Sequence, residues 1–137
     1  MSAKVMYLID EDRVNRDLIE RLIKNEFGSL IVKHFDSCEV GYAYLLKEQG
    51  FTHREYPDTI LLSQNLSAYC ISRFLEELEK FQSEWGKSIQ VFMIEDVLSS
   101  PSSDFTYSTL VKGSIKKPIC PNALLKIAES VFLQTNK

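Results

Sequence analysis

The sequence predicts an α/β fold, an open parallel sheet covered by helices on both faces, and three observations predict it. Short apolar runs recur at Lys4–Ile9, Leu30–Phe35, Thr59–Leu62, Ile89–Ile94 and Gly113–Lys116, as suits strands buried on both faces. Between them the apolar spacing changes to the i, i+3, i+4 pattern of amphipathic helices. The length of 137 residues, 45% of them hydrophobic and 26% charged, matches one globular domain over residues 1–137 with its own core. Strands alternating with crossover helices of one hand give a doubly wound sheet, and for five strands the flavodoxin-like (βα)5 order 2-1-3-4-5 is expected.

Each element has its own justification. After the first strand, Val14, Leu18 and Leu22, with the adjacent Ile19 and Ile23, line one helix face, and Gly28 falls where that helix would stop. Leu30–Phe35 is the second strand. Ser37 can cap a helix running towards Gly50, because its hydroxyl can accept an otherwise unpaired N–H of the first turn. Phe51 to Asp58 reads as a longer surface loop before the third strand. Ile71, Phe74, Leu75, Leu78, Phe81 and Trp85 form the strongest helical stripe in the chain and are assigned to the core. Ile89–Ile94 is the fourth strand, Ser103–Val111 a weaker helix rich in β-branched and aromatic residues, and Gly113–Lys116 a short fifth strand. Pro121 opens the last helix, where its missing N–H needs no partner, with Leu124, Ile127, Ala128, Val131 and Phe132 on the buried face. Only Thr135 to Lys137 are left to fray, so no output domain is expected.

Composition excludes several classes. A net charge of −3 gives no basic stripe to attract nucleic acid or anionic lipid. No apolar run approaches the roughly 20 residues of a membrane span, and the N-terminus lacks the layout of a signal peptide. Cys38, Cys70 and Cys120 are odd in number and widely spaced, which fits reduced thiols and a cytoplasmic location. His34 and His53 are too isolated to suggest a metal site.

In a doubly wound sheet the functional site lies at the carboxyl ends of the strands, which directs attention to Asp10, Glu11, Asp12, Ser63, Glu95 and Lys117. Here Leu8-Ile9-Asp10-Glu11-Asp12, Pro57-Asp58-Thr59-Ile60-Leu61-Leu62-Ser63, Val91-Phe92-Met93-Ile94-Glu95 and Lys117-Pro118 resemble the signature blocks of response regulator receiver domains. Each block alone is weak, but four in the right order cover nearly the whole chain. The resemblance implies that Asp10 and Glu11 match the acidic pair that holds Mg²⁺, and that Lys117 matches the site lysine, followed by a proline typically joined through a cis peptide. It also exposes three departures. Ser63 stands where the phosphoacceptor aspartate would be, Glu95 where a Ser or Thr would contact the phosphoryl group, and Ser114 where a Phe or Tyr would turn inward on activation.

These departures shape the functional expectation. Without the carboxylate at 63, ordinary aspartyl phosphorylation has no acceptor, and any Mg²⁺ site loses one of three hard anionic ligands, so magnesium binding is expected to be weak or lost. A hydroxyl at Ser63 would need a base to activate it. Changes at three separate positions point to a naturally altered receiver, a pseudo-receiver of a two-component phosphorelay acting through protein contacts. The alternatives are phosphotransfer onto Asp10, Asp12 or Ser63, or a small flavodoxin-like enzyme or cofactor carrier. The last is disfavoured because no P-loop, Gly-x-Gly-x-x-Gly or nucleophile elbow is present and Asp10-Glu11-Asp12 would repel a phosphate. The expected partner is a histidine kinase, a phosphotransfer protein, another regulator or a second copy of the chain. The resemblance implies a docking face that would include Phe105, Tyr107, Leu110 and Ile115. Charge balance further predicts that Glu95 pairs with Lys117, with Asp10 as the alternative partner.

Overall fold

The computed structural model describes residues 4–49, 56–85, 88–96 and 110–133. Among them the chain forms strands β1 (Val5–Ile9), β2 (Ile31–Phe35), β3 (Thr59–Ser63), β4 (Gln90–Asp96) and β5 (Val111–Lys117), and helices α1 (Arg13–Glu26), α2 (Cys38–Gln49), α3 (Ala68–Trp85) and α4 (Pro121–Leu133). The strands make one parallel sheet in the order β2-β1-β3-β4-β5, as expected.

The sheet separates two cores, and β1 feeds both. Successive residues of a strand point to opposite faces, so Val5, Tyr7 and Ile9 join Leu45, Phe74, Leu75 and Leu78 beneath α2 and α3. Met6 and Leu8 join Ile19, Ile23, Leu124 and Ile127 beneath α1 and α4. All five residues of β1 are fully buried. Gly41 allows α2 to lie close to β1, since a Cβ there would come 3.1 Å from Ile9 Cδ1.

Several local expectations are corrected. The buried row of α1 is Asn15, Ile19 and Ile23, whereas Val14 is 79% exposed and Leu18 lies at the surface; the helix is rotated towards the β-branched residues, the bulk that fills the groove against α4. The helix ends at Glu26, with Phe27 as its C-cap donating its N–H to Ile23 O, two residues before Gly28. Ser37 does cap α2, its Oγ accepting the Val40 N–H. The stretch read as a surface loop ends inside the protein: Tyr56 and Pro57 are buried, and the Asp58 carboxylate accepts the Val5 N–H at 2.8 Å. Most of the helix expected at Ser103–Val111 lies outside the described residues. Leu110 forms a turn and Val111 opens β5, which is longer than expected because Val111 already pairs with Val91. The side chains of Trp85 and Phe132 are outside the described set. No helix among the described residues is long and apolar enough to cross a membrane.

Candidate functional site at the strand ends

Asp10 follows β1 directly and is entirely buried, its N–H bonded to Phe35 O at the end of β2. A bare carboxylate in such a place is costly unless its oxygens are satisfied, and here both are. Oδ1 accepts the backbone N–H of Asp12 at 3.0 Å. Oδ2 accepts from Asn15 Nδ2 at 2.9 Å and lies 3.3 Å from Lys117 Nζ. Asp12 is the N-cap of α1, with Oδ1 accepting the Asn15 N–H, while its Oδ2 lies 3.9 Å from the same lysine. One ammonium from the end of β5 thus serves two carboxylates, the buried Asp10 and the half-exposed Asp12.

Ser63 closes β3 with no solvent exposure. Its Oγ accepts the Asn65 N–H at 3.1 Å, an ST-turn that folds the chain away from the strand towards α3. Gln64 N–H bonds Ile94 O, tying this turn to the end of β4. Glu11 is exposed. Among the described residues no group of three or more His, Cys, Asp or Glu could hold a metal ion.

No protein-family model and no curated protein matches the sequence. Solved structures do match. A CheY-like response regulator receiver domain protein from Methanospirillum hungatei superposes with a TM-score of 0.72 at 22% identity, the match covering 98% of each chain. A two-component response regulator from Clostridium difficile gives 0.73 at 12% identity over 98% of this chain and 99% of its own. The chemotaxis response regulator CheY4 of Vibrio cholerae gives 0.68 at 19% identity over 96% and 99%. The fold is that of receiver domains.

Within this receiver fold the strand ends bring together Asp10, Asp12 and Lys117, and the Lys117–Pro118 peptide is cis. The expected pair between Glu95 and Lys117 does not form. The register of β4 and β5 sets Glu95 opposite Lys116 and Lys117 opposite Asp96, and paired residues share a face of the sheet, so Lys117 turns to Asp10. Ser114 is exposed, opposite Met93. Leu110 and Ile115 are buried, in the cores on opposite faces of the sheet, so neither contributes to a docking face; strand alternation drives Ile115 inward from β5, and Leu110 packs into the other core from the turn before it. Phe105 and Tyr107 lie outside the described residues. Asn15 is the one contributor that sequence reasoning missed. Its signal was available: a lone amide in the i, i+4, i+8 row with Ile19 and Ile23, where a buried polar group needs a partner.

Proposed function

We propose that this chain is a pseudo-receiver, a signalling module of the two-component type that works by binding other proteins and takes no phosphoryl group on an aspartate. The observation that carries the reading is the state of the strand-end site. The side chain at the acceptor position is a buried serine engaged with its own turn. The site lysine is committed to Asp10 and Asp12. Because β3 lies between β1 and β5 in the sheet, a carboxylate at position 63 would compete for that ammonium; the short Ser63 does not.

Magnesium fits this donor set poorly. The ion requires several hard oxygens free to coordinate in near-octahedral geometry. Here one Asp10 oxygen is held by a backbone N–H and the other by an amide and an ammonium, Ser63 is neutral, and Glu11 points outward into solvent. The Lys117 ammonium supplies the positive charge that a divalent cation would bring to these acids. A donor set that suits magnesium poorly and a turn-bound serine at the acceptor position favour recognition as the work of the site, with a kinase, a phosphotransfer protein or another regulator as the partner class.

The test is direct. The intact chain incubated with acetyl phosphate and Mg²⁺ is expected to keep its mass. A stoichiometric phosphoryl adduct would overturn the reading, and peptide mapping would then place it on Asp10, Asp12 or Ser63.

A further inference from the structure

The outer surface of α2 and α3 carries a groove that the strand-end site does not use. Two depressions lie along it. The first, of about 210 Å³, has Cys38 and Phe74 at its base and Tyr69 and Arg73 on its rim. The second, more open and about 400 Å³, lies between Leu46, Phe81 and Glu84. Tyr42 and Glu77 line both and form the ridge between them, with the Tyr42 hydroxyl donating to Glu77 Oε1 at 3.0 Å across the two helices. Apolar side chains lie uncovered along the groove, Leu46 being 47% exposed and Tyr69 68%, while Lys80, Ser83 and Glu84 give the second depression a polar side.

The dimensions select the kind of occupant. The first depression is smaller than the roughly 300–1,000 Å³ of small-ligand sites but suits one side chain, and the second, though within that range in volume, is an open trough continuous with it across the Tyr42–Glu77 ridge. Along α3 the sockets are centred near Arg73 and Phe81, about two helical turns or ~12 Å apart at 1.5 Å per residue. That separation is within about 2 Å of the ~10.5 Å between apolar anchors at i and i+7 of a helix lying along the groove.

Charge then constrains its ends. On the ridge Glu77 is bonded to Lys80, and on the rim of the first socket Arg73 bonds the Tyr69 hydroxyl and leans over its ring. At the ends Glu39 and Glu84 have no ion pair among the described residues. Glu39 accepts a hydrogen bond from the Cys70 thiol, which holds its carboxyl below the usual range and keeps it anionic. From the level of Cys70 to Glu84 the groove runs for about 20 Å, some fourteen residues of helix.

We infer that the α2–α3 groove is a docking site for an amphipathic helix of a partner protein, with apolar anchors seven positions apart and basic residues at both ends. The inference does not depend on how the strand-end site is used, so the acetyl phosphate result leaves it standing.

The test uses the full chain, ¹⁵N-labelled, and three synthetic peptides of fourteen residues. One is a helix with leucine anchors at i and i+7 and lysines at its ends, the second carries glutamates at the ends, and the third is a scramble of the first. At low salt the lysine-ended peptide is expected to shift amides of α2 and α3 and to bind about threefold to tenfold more tightly than the glutamate-ended one, as two rim ion pairs allow. Glu39→Lys with Glu84→Lys should reverse that preference. Leu46→Asp and Tyr69→Ala, both at exposed positions and therefore compatible with folding, should each weaken binding about tenfold. Equal affinity for all three peptides, shifts confined to another face, or indifference to Leu46→Asp and Tyr69→Ala would overturn the inference. So would sedimentation showing that the chain pairs with itself through this groove.

Discussion

Asp10 owes its tolerance of complete burial to three partners, and Lys117 is the one that balances its charge. Lys117→Met should therefore cost about 3 kcal/mol, the lower end of what removing one member of a buried pair costs, since the lysine retains some solvent contact. Urea denaturation would measure it, and Asp10→Asn combined with Lys117→Met should recover part of the loss, the signature of a coupled pair. The three thiols make a second residue-scale contrast. Burial pushes the Cys38 thiol up to about 12, and the Glu39 carboxylate beside Cys70 raises that one. Cys120 goes the other way, because the backbone N–H groups of Ala123 and Asn122 at the start of α4 stabilise its thiolate. Iodoacetamide near pH 8 is expected to label Cys120 first, with a pH midpoint below the ordinary thiol value of 9.0, as peptide mapping would check. Asp10, Asp12, Ser63 and Lys117 were legible in the sequence because each stands at or just beyond the end of a strand-like run, whereas Asn15, inside α1, was not. The Lys117 pairing was not, since a long side chain on β5 chooses its partner from register and reach, neither of which is written locally.

Helices supply the sharpest comparison at the level of elements. In α3 the apolar stripe is core: Ile71, Phe74, Leu75 and Leu78 are almost wholly buried. Leu75→Ala should accordingly cost about 2–5 kcal/mol through lost transfer energy and the cavity left behind. Val14→Ala on α1 should stay within about 0.5 kcal/mol despite its place in an apolar row, because that side chain already stands in water. Chemical denaturation of the two variants side by side would test both. A single helical stripe such as that of α3 leaves no choice of face, so it could be read directly. On α1 two apolar rows lie next to each other, Val14-Leu18-Leu22 and Ile19-Ile23. Only packing against the sheet and α4 decides which goes inward.

For the molecule as a whole, the two cores share β1, whose side chains alternate between them. Neither core can be dismantled without exposing residues of the strand that completes the other. Unfolding of the domain should therefore be one cooperative transition, with far-UV and near-UV circular dichroism giving the same midpoint in urea. Separate transitions for the two probes would mean that α1 and α4 come away independently of α2 and α3. Topology was the most legible property of all, because alternating periods and the right-handed crossover rule leave few arrangements of five strands. The groove between α2 and α3 was not legible, since it is made by the relative placement of two helices.

The contact between Asp10 and Lys117 also has a meaning in time. During synthesis the acid emerges with the first strand, and its counter-ion is made only with the last, after every other strand of the sheet. A nascent chain halted before β5 has the acid without the base, so all five strands must be made before the buried charge at the strand ends is neutralised. Arrested chains of increasing length should accordingly resist protease abruptly once Lys117 has cleared the exit tunnel, rather than by degrees as each strand appears.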